Sequence, residues 1–331
     1  MAPTRTALID SPSEAARLLN AGGLVAFPTE TVFGLGVDAT SDEAVRRLFA
    51  AKGRPSDNPL IVHVAEIDQW RLAASALTPS AAALLAAFAP GPLTVVLPKR
   101  PEISSLVTAG LGTVGVRVPD HPVAREVLRL AGAPIAAPSA NRSGRPSGTR
   151  WRSVLEDLDG RIDAVYRQDG PSLGLESTVV DCTGSVAAVL RPGAVTTEQI
   201  RRVLPDARES FGAPSSGAPT SGAHEAVRSP GVAHPHYQPR AEVRLVDAPE
   251  SLTLGGSERA AYCGLQAVDR LRGSFELYAV YPTPDEYAAA FYEFLREADR
   301  RGVARVYVQL APDEGIGRAL RDRQLRAAGE R

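Results

Sequence analysis

The chain alternates between two kinds of segment, and this limits its fold more than any single motif does. Short apolar runs, "LVAF", "LIVHV", "LTVVL", "VGVRV", "PIAA", "AVYR", "STVVDC" and "AAVLR", are interleaved with "SPSEAARLLN", "SDEAVRRLFAAK", "TPSAAALLAAF", "DHPVAREVLRLAG" and "TTEQIRRVL". The first set has the length and composition of buried strands, and the second has helical periodicity. Several of the helical segments open on Ser, Thr or Asp with an acid soon after, as helix N-termini do. The predicted fold class is α/β with a largely buried sheet.

The alternation fails over residues 209–240, "ESFGAPSSGAPTSGAHEAVRSPGVAHPHYQPR", which are rich in Gly, Pro, Ser and Ala. Such a composition reads as a linker. Beyond it, "AEVRLVD", "ERAAYCG", "ELYAVY", "PDEYAAAFYEFLREADRRG", "ARVYVQL" and "GIGRALRDRQLRAAG" restart the pattern on a smaller scale. The expected organisation is a first unit over residues 1–208, a linker over 209–240 and a small α/β unit over 241–331.

With a formal net charge of -1 and 23% charged residues, the chain shows no whole-protein attraction to nucleic acid or to a membrane surface. No apolar run approaches the ~20 residues that span a bilayer, and "MAPTRTALIDSPSE" lacks the apolar core of a signal peptide. A cytoplasmic protein is expected. Cys182 and Cys263 sit in apolar runs with no partner at metal-ligand spacing, so both are read as inert core thiols. His234 and His236 have metal-like spacing but no third ligand nearby, and no metal site is predicted there.

Polar clusters recur at strand ends, where α/β folds gather their ligands. In "AFPTETVFGLG", Thr29, Glu30 and Thr31 follow a strand, with Gly34 and Gly36 read as a turn; an ordinary strand-to-turn connection reads the same way. "GLGVDA" and "GLGTVG" match a dinucleotide fingerprint only weakly, since neither sits between a strand and a helix. No Walker-type phosphate loop exists, because neither lysine is followed by Ser or Thr.

Only Lys52 and Lys99 are lysines among 37 basic residues. A lysine retained in so arginine-rich a chain points to a need for a compact ammonium rather than a planar fork. Lys52 and Arg54 are expected just past a helix end, presented on a loop to phosphates, although cations there also complement the helix dipole. A loop lysine contributes little to packing, so removing Lys52 is expected to spare the fold. Arg117, in the valine-built "VGVRV", needs an anion or a cleft, unless it lies on an exposed edge. "APSANRSGRPSGT" supplies Ser139, Asn141, Arg142, Ser143, Arg145 and Ser147, "LESTVVD" supplies Glu176, Ser177 and Thr178, and "LRPGAV" supplies Arg191. Together these clusters suit a polyanion and a reaction driven by positioning and charge neutralisation, with adenylyl or phosphoryl transfer the best match.

The ordered blocks "PTETVFGLG", "KGRPSDNPLIVHV", "PGPLTVVL", "VGVRVPDHPVA", "PIAAPSANRSGRPS", "ESTVVD" and "LRPG" closely resemble the YrdC-type threonylcarbamoyl-AMP synthases, and "SPGVAHPHYQP" and "GIGRALRDRQLRAA" resemble the linker and the C-terminal end of the two-domain form. The resemblance implies a twisted open mixed sheet with a deep cationic cavity, plus a small Rossmann-like unit. It implies synthesis of threonylcarbamoyl-AMP and pyrophosphate from L-threonine, bicarbonate or CO2, and ATP with Mg²⁺. A separate transferase would then move the threonylcarbamoyl group to tRNA, next to the anticodon. The family's K-x-R and S-x-N pairs fall on Lys52, Arg54, Ser139 and Asn141, implied to contact the nucleotide with Ser56, Thr113, Ser147 and Arg191, with Lys52 and Arg54 catalytic. Thr29, His63, Arg117 and Ser177 are implied to surround threonine, and Tyr237 to fold back over the nucleotide. Phe33 departs from the family's usual Tyr. Two other readings are weighed. A carbamoyl-adenylating hydrogenase-maturation enzyme would need a cysteine-rich segment that two cysteines cannot supply. An RNA-binding module would be disfavoured by the near-zero net charge.

Overall fold

The computed structural model describes residues 5–170, 172–211, 236–254 and 259–330. The expected linker therefore lies, except for its two ends, outside the described residues.

Eleven strands form the first sheet: β1 (Ala7–Ile9), β2 (Val25–Phe27), β3 (Gly34–Asp38), β4 (Ile61–His63), β5 (Leu93–Pro98), β6 (Thr113–Arg117), β7 (Ile135–Ala136), β8 (Ala164–Tyr166), β9 (Thr178–Asp181), β10 (Ala188–Arg191) and β11 (Arg208–Glu209). Their order is β1-β8-β2-β3-β7-β4-β6-β5-β9-β10-β11, with parallel and antiparallel neighbours mixed. The helices are α1 (Pro12–Asn20), α2 (Asp42–Lys52), α3 (Pro79–Phe88), α4 (Pro122–Ala131), α5 (Trp151–Leu158) and α6 (Thr197–Val203). The helical segments expected from the sequence all form; α5 was not anticipated.

Helices cover both faces of this sheet. On one face α1 and α4 pack Leu19 and Leu128 against Phe27 and Ile135. On the other, α2 and α3 bury Leu48 and Leu84 among Leu35, Val62, Val95 and Val116. Apolar runs buried on both sides are what a sheet clad in helices requires.

The second sheet holds β12 (Glu242–Val246), β13 (Ala260–Gly264), β14 (Leu277–Val280) and β15 (Arg305–Gln309), all parallel in the order β12-β15-β13-β14. Helices α7 (Pro284–Arg300) and α8 (Gly315–Ala328) pack Phe291, Leu295 and Leu320 against Val306 and Val308. The α/β prediction holds for both sheets.

Gly34 and Gly36 correct one expectation. They form β3, not a turn, and pair with Phe27 and Val25 of β2. Cys182 and Cys263 are free and buried, and burial pushes both thiols up to about 12, as inert core cysteines require. Among the described residues no helix is long and apolar enough to cross a membrane.

Candidate active site

Helix α2 starts on Ser41, whose hydroxyl accepts from the Ala44 N–H, and carries Asp42 and Glu43 in its first turn. Such caps satisfy orphan donors and complement the helix dipole. Gly53 ends the helix at φ 61°, a left-handed conformation that favours glycine. The reversal leaves Lys52 as the last helical residue and sends the chain toward β4.

Parallel pairing of β4 with β6 makes His63 and Arg117 register partners at the carboxyl ends of the two strands. After β7 the chain passes through Ser139 and Asn141, and a β-bridge joins Ser139 to Gly34. Ser177 precedes β9, and Arg191 ends β10. Arg191 donates from Nε and NH2 to the Ser177 carbonyl at 3.1 and 2.9 Å. These segments converge on one cavity whose wall includes Arg54, His63, Arg117, Ser139, Asn141, Ser177, Arg191 and Tyr237. Eight of the residues singled out from the sequence thus come together.

Arg117, 4% exposed, donates from NH2 to Glu30 Oε1 at 2.7 Å and to Thr31 Oγ1 at 2.9 Å. The expectation of a buried arginine with an anionic partner is met. His63 Nδ1 lies 3.2 Å from the Ile61 carbonyl. A carbonyl only accepts, so Nδ1 carries the proton and Nε2 keeps its lone pair. Burial, with Arg117 beside it, lowers His63 to about 3, so the ring is neutral at pH 7.

Arg54, also in the wall, donates to the Asn58 and Pro59 carbonyls at 3.2 and 2.9 Å. Burial, with Arg191 nearby, lowers its guanidinium to about 10, which leaves it charged. Asn58 Nδ2 lies 3.3 Å from His236 Nε2, and burial beside Arg54 lowers His236 to about 3. His236 was read from the sequence only as an unlikely metal ligand; its place in this wall became visible only in three dimensions. His234 lies outside the described residues.

Lys52 differs from its expectation. It is 2% exposed, and its Nζ donates to the Ser139 and Asn141 carbonyls at 2.5 and 2.6 Å. Burial and the nearby Arg54 hold its pKa well below the usual lysine value. The residue is therefore buried structure rather than a loop cation, and it does not line the cavity.

Four other expected residues stand outside the wall. Thr29 Oγ1 donates to the Val32 carbonyl at 2.7 Å, and its neighbour Thr31 faces the cavity instead. Ser147 Oγ donates to Glu176 Oε1 at 2.6 Å, and it is Glu176 that reaches the wall. Ser56 is exposed on the loop after Arg54, and Thr113 is half-buried at the start of β6. Phe33 is fully buried in the main core, so the hydroxyl it lacks is not a feature of the wall.

The model described as "Telomere recombination" matches residues 17–193, and the one described as "Threonylcarbamoyl-AMP synthase, C-terminal domain" matches residues 195–329. The chain belongs to the threonylcarbamoyl-AMP synthase family. Within it, the threonylcarbamoyl-AMP synthase of Bacillus subtilis is 39% identical, covering 96% of this chain and 93% of its own. That of Pyrococcus abyssi is 38% identical, covering 96% and 94%. The crystal structure of Pyrococcus abyssi Sua5 complexed with L-threonine is similar over 98% of both chains, with a TM-score of 0.86 and 35% identity.

Proposed function

We propose that this chain is a threonylcarbamoyl-AMP synthase that joins L-threonine, bicarbonate or CO2, and ATP into L-threonylcarbamoyl-AMP and releases pyrophosphate. The observation that carries this reading is one cavity whose wall gathers Arg54, His63, Arg117, Ser177 and Arg191. In this reading residues 1–208 are the catalytic unit, 209–240 the linker, whose described residues His236 and Tyr237 line the cavity, and 241–331 the second unit.

Threonine's carboxylate pairs with Arg117, whose Nε and NH2 are held by Gly91, Glu30 and Thr31, leaving NH1 for the substrate. Ser177 and the turn carrying Thr29 and Thr31 surround the amino acid. The neutral His63 ring can accept a hydrogen bond from threonine's amine, and the free amine adds to CO2 to form a carbamate, its released proton passing to bicarbonate or solvent. The carbamate oxygen attacks the α-phosphorus of ATP and pyrophosphate leaves. Arg54 and Arg191 neutralise the phosphates, Ser139 and Asn141 contact the adenylate, and Lys52 fixes the backbone that carries them. Ser56, Thr113 and Ser147 complete the nucleotide contacts once ATP has entered.

Among the described residues no group of three or more acids, His or Cys could hold a metal. Mg²⁺ would arrive bound to ATP and help offset the charge of the departing pyrophosphate. A carbamate loses CO2 readily, so the reaction needs a water-poor cavity. The free space inside is about 60 Å³, room for a few waters. Nucleotide entry must therefore displace wall residues, and His236 and Tyr237 belong to the expected linker. The product passes to a separate tRNA transferase.

The test is pyrophosphate release from ATP with threonine or bicarbonate omitted in turn. Release should require both. Release independent of threonine would overturn this function, and salt-sensitive RNA binding without turnover would favour a binding module instead.

A further inference from the structure

Glu176 is the one carboxylate among the described wall residues, which include the cations Arg54, Arg117 and Arg191. It is 8% exposed, and its two oxygens are held from opposite sides. Ser147 donates to Oε1 at 2.6 Å from the first sheet's side. Oε2 accepts from the Tyr292 hydroxyl at 2.9 Å and from Arg323 Nε at 3.0 Å, and both donors belong to helices of the second unit. Tyr292 and Arg323 are themselves 0% exposed.

The same pair reaches the linker. The Tyr237 ring stacks on Tyr292 at 5.2 Å, and the Arg323 guanidinium carbon lies 5.8 Å from the centre of that ring. Tyr237 holds a backbone φ of 67°, an uncommon conformation for a non-glycine residue, so packing must fix it there. The next residue's N–H, that of Gln238, donates to the Gly144 carbonyl at 2.8 Å.

We propose that the second unit completes the catalytic cavity: Tyr292 and Arg323 hold Glu176 in the wall and, through it, keep Arg191 and Tyr237 in position for the nucleotide. This rests on the synthase reading and assigns the second unit a part in it. The physical need is plain. A buried carboxylate without partners would protonate or turn away. Arg191, buried beside it, would then lose a neighbouring negative charge. Tyr292, Arg323 and Glu176 act as positioning residues, since none of them need touch the reacting atoms.

The charged and titratable groups around Glu176 are Arg191 on β10, Tyr292 on α7, Arg323 on α8, and His236 and Tyr237 beside the cavity. Burial alone would raise the Glu176 carboxyl, and Arg323 followed by Arg191 brings it below the usual value. Without Arg323 its folded-state pKa rises, because burial still favours the neutral carboxyl and one of its two cationic partners is gone. Activity that needs the carboxylate would then be lost as the pH falls.

The experiment uses the full chain and follows threonine- and bicarbonate-dependent pyrophosphate release. Tyr292→Phe keeps the ring that stacks on Tyr237 and removes only the hydroxyl. Its apparent KM for ATP should rise about fivefold, the effect of one hydrogen bond, with its melting temperature close to that of the parent chain. Arg323→Gln should lose proportionally more rate than the parent chain at the acid end of the pH profile, so that the ratio of variant to parental rate falls as the pH falls. Parental kinetics in both variants, or an Arg323→Gln loss equal at every pH, would overturn the proposal and leave these residues as packing. If the parent chain itself shows no threonine-dependent release, it is the synthase reading that fails.

Discussion

Lys52 shows how a residue can be singled out for a sound reason and still be found in an unexpected setting. Its rarity in an arginine-rich chain pointed to a need for a compact ammonium, and a compact ammonium is what donates to the Ser139 and Asn141 carbonyls. Those acceptors lie about ninety residues downstream and are backbone atoms, which no side-chain pattern reveals. Lys52→Met keeps the aliphatic stem but leaves two buried carbonyls without this donor, at a cost of about 1–3 kcal/mol. Denaturant unfolding should show that loss alongside reduced pyrophosphate release. Parental stability with activity abolished would instead return Lys52 to direct contact with the phosphates. The parts played by Glu176 and His236 were illegible for a similar reason: one stood out only as a member of a polar cluster and the other only as an unsupported metal ligand, and both become wall residues through what the fold sets beside them.

At the scale of elements, every strand-like run picked out by its apolar residues forms a strand, and every helix picked out by its period forms a helix. What went unread was β1, β3, β11 and α5. In β3 the glycines masked a strand, because the need for glycine is set by a ring across the sheet. A Cβ on Gly36 would stand 2.6 Å from Phe27 Cε1 and 3.1 Å from Ile135 Cγ2. Both neighbours are fully buried, so they have little room to yield. Gly36→Ala should therefore cost about 1–3 kcal/mol by overpacking. The folded fraction should keep its KM values for ATP and threonine, since Gly36 does not line the cavity. A changed KM with unchanged melting temperature would mean that these glycines serve the site after all.

Across the whole molecule the two sheets are joined by groups that neither side can satisfy alone. Arg296 of α7 is 1% exposed and donates to Asp157 Oδ2 of α5 at 2.7 Å and to the Pro146 carbonyl at 2.5 Å. Ser153 donates to Glu293 at 2.9 Å, and Arg323 meets Glu176 at 3.0 Å. At Gly174 the chain passes so near α7 that an added Cβ would stand 2.5 Å from the Ala289 Cα. The linker composition had suggested two units joined by a tether, and composition carries no sign of such an interface. Its members lie scattered through helices whose arginines look like ordinary solvated charge. Separating the sheets would strand buried ions on both sides, which is far costlier than parting an apolar contact of the same size. Calorimetry should consequently show one cooperative unfolding transition for the full chain. Arg296→Met, which leaves Asp157 with fewer donors, should lower that single transition by several degrees. Two transitions in the parent chain, with only one of them moved by Arg296→Met, would show that the sheets unfold independently and that the buried ion pairs do not couple them.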